Sequence, residues 1–150
     1  MVFKSIKKFE DYVLTKCGNA VAQTQEVTRQ DIIDQAKAFY GSYKPVMYDR
    51  TNQLTDDNGN SEKFIIKSPI NMVGNVCEAD VHLDVGGLGY TTGLQPSGEQ
   101  VVSAAVKGGH GASGLKVVYS GGVNLWNPQL QEKANSDLAQ ALRTQGLPLV

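Results

Sequence analysis

The character of the chain changes abruptly at Gly41, and the rest of the fold has to accommodate that change. Up to Tyr40 the apolar residues recur at helical intervals; Gly41 then ends the run, and Pro45 pushes Lys44 out of the α region, so the backbone must turn and extend here. The stretch Tyr40 to Leu54 carries Tyr43, Tyr48 and an Arg50-Thr51 pair around that proline. A tyrosine buries its ring while keeping its hydroxyl hydrogen-bonded, and a guanidinium holds a carboxylate or a row of carbonyls in a planar fork. Such a composition suits a rigid corner at a protein–protein contact. It suits equally a tyrosine-rich loop packed on its own domain.

Before the corner, Ile6, Phe9 and Val13 recur at three- and four-residue steps, with Lys4, Lys7, Lys8, Glu10 and Asp11 largely between them. The pattern resumes through Ala20, Val27, Ile32, Ala36 and Phe39. One bent helix or two consecutive helices satisfy this spacing. Cys17-Gly18-Asn19 favours two, the second running from about Ala20 to Tyr40.

After the corner, 55–61 has the composition of a flexible loop, and Lys63 to Ser68 reads as a strand around Phe64-Ile65-Ile66. Val76 to Asp84 has the clearest strand pattern: Cys77, Ala79, Val81 and Leu83 alternate with Glu78, Asp80, His82 and Asp84. One face is expected to pack on helices and the other to meet water or a lumen. Gly86 to Gly98 reads as a glycine- and threonine-containing loop. Ser97 is placed to cap a short helix ending before Gly108-Gly109, and Leu115 to Tyr119 is an expected strand. Asn127-Pro128 is a helix start, followed by the stripe Leu130, Ala134, Leu138, Ala141 and Leu142 and stopped by Gly146 and Pro148. The expectation is a single α+β domain over 1–150. It has helix over 4–41, a tyrosine-rich corner at 40–54, sheet and loops at 63–120 and a C-terminal helix at 128–145. The N-terminal and C-terminal helices pack on a small, mostly antiparallel β-sheet with long Gly-rich loops.

At 150 residues the chain can bury a real core, and its net charge of −1, spread along the sequence, leaves no electrostatic footprint for nucleic acid. The N-terminus has no apolar core of a signal peptide, and no stretch approaches the length of a membrane span, so a soluble protein made in a reducing cytoplasm is expected. Cys17 and Cys77 lack a CxxC spacing and local histidines, which argues against a zinc site or a redox dithiol; Cys77 reads as a small buried hydrophobe.

Catalytic patterns are weak. Glu78, Asp80, His82 and Asp84 project in parallel from one strand rather than converging on an ion, so a solvated polar face is preferred to a metal site. Gly108-Gly109-His110-Gly111 lacks the Lys-Ser/Thr of a phosphate-binding loop and reads as a glycine-rich turn. Ser113 or Ser120 can be combined with a histidine and an aspartate only on paper, since no strand–nucleophile–helix elbow flanks either. Trp126 reads as a core or staple residue, and Lys4, Lys7 and Lys8 as the wet side of a helix. No catalytic, cofactor-binding or metal-binding residue is assigned.

Laid out this way, the chain resembles the tail-completion or head–tail joining family of long-tailed bacteriophages. The likeness rests on Tyr-x-Pro-x-x-Tyr-x-Arg-Thr-x-x-Leu, here Tyr43, Pro45, Tyr48, Arg50, Thr51 and Leu54, directly after a long N-terminal helix. The later order of strands, a glycine-rich stretch with Gly-His-Gly and a C-terminal amphipathic helix also agrees. The chain departs from the pattern where Gly109 replaces an aromatic before His110, and in the acidic stretch after Leu54.

The resemblance implies a virion structural protein without catalysis or cofactor, made in the host cytoplasm and built into the head–tail neck. Such proteins form a homo-oligomeric ring, commonly of six copies, between a portal-side connector or head-closure protein and a tail-tube or terminator protein. No membrane is involved, and DNA meets the ring only by non-specific passage. It implies subunit contacts at Tyr43, Pro45, Tyr48, Arg50, Thr51 and Leu54, and Glu78, Asp80 and Asp84 become candidates for an acidic channel lining. Alternatives are another small phage structural protein (a tail terminator, head-closure or capsid decoration protein) or a small metal-dependent hydrolase using His82 or His110 with nearby acids.

Overall fold

A computed structural model describes residues 2–42, 61–86, 88, 98–107, 109–113, 116–119 and 128–147. The elements in chain order are α1 (Ile6–Gly41), α2 (Ser61–Phe64), β1 (Ile65–Lys67), β2 (Asn71–Val73), β3 (Val76–Glu78), β4 (Val81–Leu83), α3 (Gly98–Lys107), β5 (Gly109–Ser113), β6 (Lys116–Tyr119) and α4 (Pro128–Thr144). The fold is α+β. Its β part consists, among the described residues, of three two-stranded pairs: β1 with β4, β2 with β3, and β5 with β6.

The N-terminal region is one continuous 36-residue helix, not two. Ser5 caps it, its hydroxyl accepting from the Lys8 amide at 3.3 Å. Gly18, expected to interrupt the helix, is buried within it, and a β-carbon there would stand 2.9 Å from the Met72 methyl. The glycine serves close approach of a neighbouring strand rather than a break. A helix-interior glycine costs about 1 kcal/mol relative to alanine, which the hydrogen-bonded turns on either side absorb. The helix does end at Gly41, where the Ser42 amide and hydroxyl both turn back to the Phe39 carbonyl.

The chain forms two compact units, Met1–Arg29 with Lys67–Val81 and Pro128–Val150, and Gln30–Ile66 with His82–Asn127. In the first, Ala20 of α1 and Leu130 and Ala141 of α4 are buried, together with the polar side chains of Gln25 and Arg29. In the second, the buried residues are Ile32, Ile33, Ala36 and Phe39 of α1, Ile65 of β1, and Leu88. Gly18, Gln25, Arg29, Ile32, Ala36 and Phe39 follow the three- and four-residue spacing of a single helix face. Ile6 and Phe9 do not join that face: Ile6 is 78% exposed and Phe9 48%, and Phe9 instead meets Phe3 edge-on with ring centroids 5.1 Å apart.

Segment 76–84 keeps its expected alternation, with Cys77, Ala79, Val81 and Leu83 less exposed than Glu78, Asp80, His82 and Asp84. It is nevertheless not one strand. β3 pairs with β2 in a hairpin whose two-residue turn is Gly74-Asn75, with Gly74 left-handed at φ 58°. β4 instead pairs with β1. Ser68 donates its amide to the Asp80 carbonyl and Asp84 donates to Phe64, so that pair is antiparallel. The strand expected over 63–68 is shortened at its start by the single turn of α2.

In the second unit, α3 lies against β5, and the start of α3 sits tightly on the preceding turn. A β-carbon on Gly98 would fall 1.9 Å from the Val85 carbonyl oxygen and 2.6 Å from that of Leu88, so only glycine fits. The Gly-His-Gly segment is a strand rather than a turn: His110 pairs with Val118 and Ala112 with Val117, with the register irregularity falling at Gly111. The expected strand at 115–119 is present as β6.

α4 begins at Pro128, the favoured first position for proline. It ends in a Schellman turn: Leu147 donates to Leu142 and Gly146 to Arg143, with Gly146 left-handed at φ 81°.

Candidate functional site

Among the described residues, specific side-chain interactions gather at the middle of α1 in the first unit, where the ends of β1, β3 and β4 converge on it. Between β1 and β2, and again between β3 and β4, the chain leaves one two-stranded pair for another. Beyond the one backbone bond from Ser68 to Asp80, its polar groups therefore need further partners. Gln25 supplies them. Its side-chain amide nitrogen donates to the Ser68 carbonyl at 2.8 Å and to the Asp80 carbonyl at 2.7 Å. Ser68 completes the junction, its hydroxyl accepting from the Asp80 amide at 2.8 Å.

One residue on, Glu26 forms an ion pair with Lys67, and Arg29 stands 3.8 Å away on the next turn. The hydrogen bond from Lys67 holds the Glu26 carboxyl below the usual carboxylate range; partial burial opposes the shift, and the charges of Lys67 and Arg29 reinforce it. Both partners of the Glu26–Lys67 pair are about half exposed, so the energy involved is small.

Two to three turns earlier on α1, the β2–β3 hairpin lies against Leu14 and Gly18. Met72 and Cys77 are cross-strand partners; the Cys77 sulfur lies 3.0 Å from the Met72 sulfur and 3.9 Å from the Leu14 carbonyl oxygen. Partial burial, and then the neighbouring Cys17, raise the Cys77 thiol above its ordinary range. Cys77 is half-buried rather than a core hydrophobe, and its approach to the Leu14 carbonyl brings it within a helical turn of Cys17, 60 residues away in the chain. The absence of a CxxC motif had no bearing on this, because the approach is made by tertiary packing.

The sequence-derived candidates fall into two groups. Tyr43, Pro45, Tyr48, Arg50, Thr51 and Leu54 lie outside the described residues, as do Ser120, Trp126 and most of the Gly86–Gly98 loop. Glu78, Asp80 and Asp84 are described and exposed, Glu78 on β3, Asp80 in the break, and Asp84 just beyond β4. Among the described residues no group of three or more His, Cys, Asp or Glu side chains is placed to hold a metal ion, and no helix is long and apolar enough to cross a membrane. No family model matches the chain, and neither a curated protein nor a solved structure matches it.

Gln25 and Arg29 are the residues that sequence reasoning missed. The available signal was their register: stepping back from Phe39, Ala36 and Ile32 along the apolar face lands on positions 29 and 25.

Two predictions follow from this geometry. Gln25→Ala removes the donor shared by two carbonyls and is expected to cost about 1–3 kcal/mol in urea denaturation, with faster amide exchange at Ser68 and Asp80. Unchanged stability and exchange would show that the junction holds without it. For Glu26, a folded pKa below the unfolded one means the stabilisation is present above the unfolded value and lost as pH falls through the folded one. The stability difference between wild type and Glu26→Gln is expected to be under about 1 kcal/mol at pH 7 and to vanish in acid. A difference that grows on acidification contradicts the assignment.

Proposed function

We propose that this protein is a virion structural protein of a tailed phage, assembling as a ring in the neck that completes the tail and joins it to the head. The observation that carries the reading is positional. A single long helix ends at Gly41, two residues before Tyr43, so the Tyr-x-Pro-x-x-Tyr-x-Arg-Thr-x-x-Leu run directly follows a long N-terminal helix, as the resemblance requires. In this reading Tyr43, Tyr48 and Arg50 sit at subunit contacts, where a desolvated guanidinium fork and amphipathic rings concentrate binding energy. The partners are further copies of the chain, a portal-side connector or head-closure protein, and a tail-tube or terminator protein.

Two surface features support an assembling subunit. The hairpin presents Val73 and Val76 directly opposite one another, each more than half exposed, and α1 starts with the exposed Ile6 and Phe9. Apolar surface of this kind finds its cover in protein–protein contacts. Glu78, Asp80 and Asp84 are exposed, which a channel lining demands; negative charge there keeps passing DNA from adhering through its phosphates.

The test is Arg50→Ala supplied in place of the wild-type protein during phage assembly. The isolated variant is expected to keep the wild-type circular dichroism and melting profile, while heads and tails accumulate unjoined. Normal yields of joined particles would remove the corner from the subunit contact. Normal joining in the complete absence of the protein would overturn the neck assignment itself.

A further inference from the structure

The two contacts that seat the β2–β3 hairpin on α1 bring two thiols near each other. Cys77 reaches the Leu14 carbonyl, its cross-strand partner Met72 lies over the bare Gly18, and Cys17 lies between those two points on the helix. Neither cysteine is fully buried and neither is bridged, so a small disulfide reagent can reach the pair. Met72 fills the space beside the Cys77 sulfur, but its side chain is flexible and 44% exposed, so it can move aside without disturbing the core.

We propose that Cys17 and Cys77 are a latent disulfide site that covalently fastens the β2–β3 hairpin to α1 when the protein meets an oxidising low-molecular-weight disulfide. The chemistry is two successive exchanges. One thiolate attacks a sulfur of the reagent, forming a mixed disulfide and expelling one reagent thiolate. The second cysteine attacks the mixed disulfide at the protein sulfur, forming the Cys17–Cys77 bond and expelling the other reagent thiolate. The two protons lost from the protein thiols end on the two reagent thiols, and the reagent is reduced by the two electrons that the pair gives up.

The raised Cys77 thiol makes the site slow near neutral pH, because the attacking species is the thiolate. In a reducing cytoplasm the pair stays open, and the hairpin is held by packing alone. Closure ties residues separated by a loop of roughly sixty residues, a length at which a cross-link removes substantial freedom from the unfolded chain. This site stands independently of the neck-assembly reading, since it rests only on the seating of the hairpin.

The full-length protein equilibrated in buffers of reduced and oxidised glutathione, with and without urea, tests the proposal. Trapped species are assigned by alkylation and peptide mass mapping. The expected product is one intrachain Cys17–Cys77 bond per chain, with an effective thiol concentration at least about tenfold higher in the folded protein than in urea. Its formation is expected to accelerate as pH rises from neutral, and the oxidised form should melt at a higher temperature than the reduced one. Cys17→Ser and Cys77→Ser should each abolish that shift. An effective concentration no higher folded than unfolded would overturn the proposal, as would glutathione adducts on both cysteines or interchain dimers in place of the intrachain bond.

Discussion

The Gln25 side chain is the interaction on which the first unit depends. The β-strands here are only three residues long, and the chain changes partners between them, so the β1–β4 ladder ends at a single backbone bond from Ser68 to Asp80. A single amide nitrogen, held on a long helix, donates to both carbonyls and ties the two crossings to one point on α1. Short strand pairs of this kind are marginal in isolation. What makes them persist is the helix behind them: apolar burial on one stretch of its face, and on another a polar clamp flanked by Glu26, Lys67 and Arg29.

How much of this was legible in the sequence differs by element. Helix α4 was readable almost in full, because Pro128, the apolar stripe and Gly146 are local signals that depend on nothing distant. The alternation over 76–84 foretold which side chains are covered, yet it did not foretell the break at Ala79-Asp80. Alternation reports burial, whereas pairing depends on which other segment arrives alongside. Gly18 shows the same limit. Read locally, glycine breaks a helix; in the structure it makes room for Met72. The Gly-His-Gly stretch looked like a turn for the same reason and is a bulged strand, because Lys116–Tyr119 supplies its partner.

The functional residues were less legible than the fold. Gln25 was overlooked because polar residues on a helix are ordinarily assigned to the wet face, and the nearness of Cys77 to the Cys17 turn because two cysteines sixty residues apart carry no motif. The corner at Tyr43–Leu54 is legible only as chemistry: rings with polar tips and a guanidinium fork, directly after a helix that stops on cue at Gly41. In the reading we propose, that chemistry, the exposed valine pair of the hairpin and the exposed acids of 78–84 belong to a subunit that completes its surface against neighbours.

The central claim is that this chain assembles with copies of itself into a closed ring. Native mass spectrometry of the purified protein over a range of concentrations, paired with negative-stain imaging of the same sample, addresses it directly. The account predicts a discrete oligomer, six copies being the commonest arrangement in the family it resembles, seen as rings with a central opening. A chain that stays monomeric at every concentration, and also when mixed with purified tails, would contradict it.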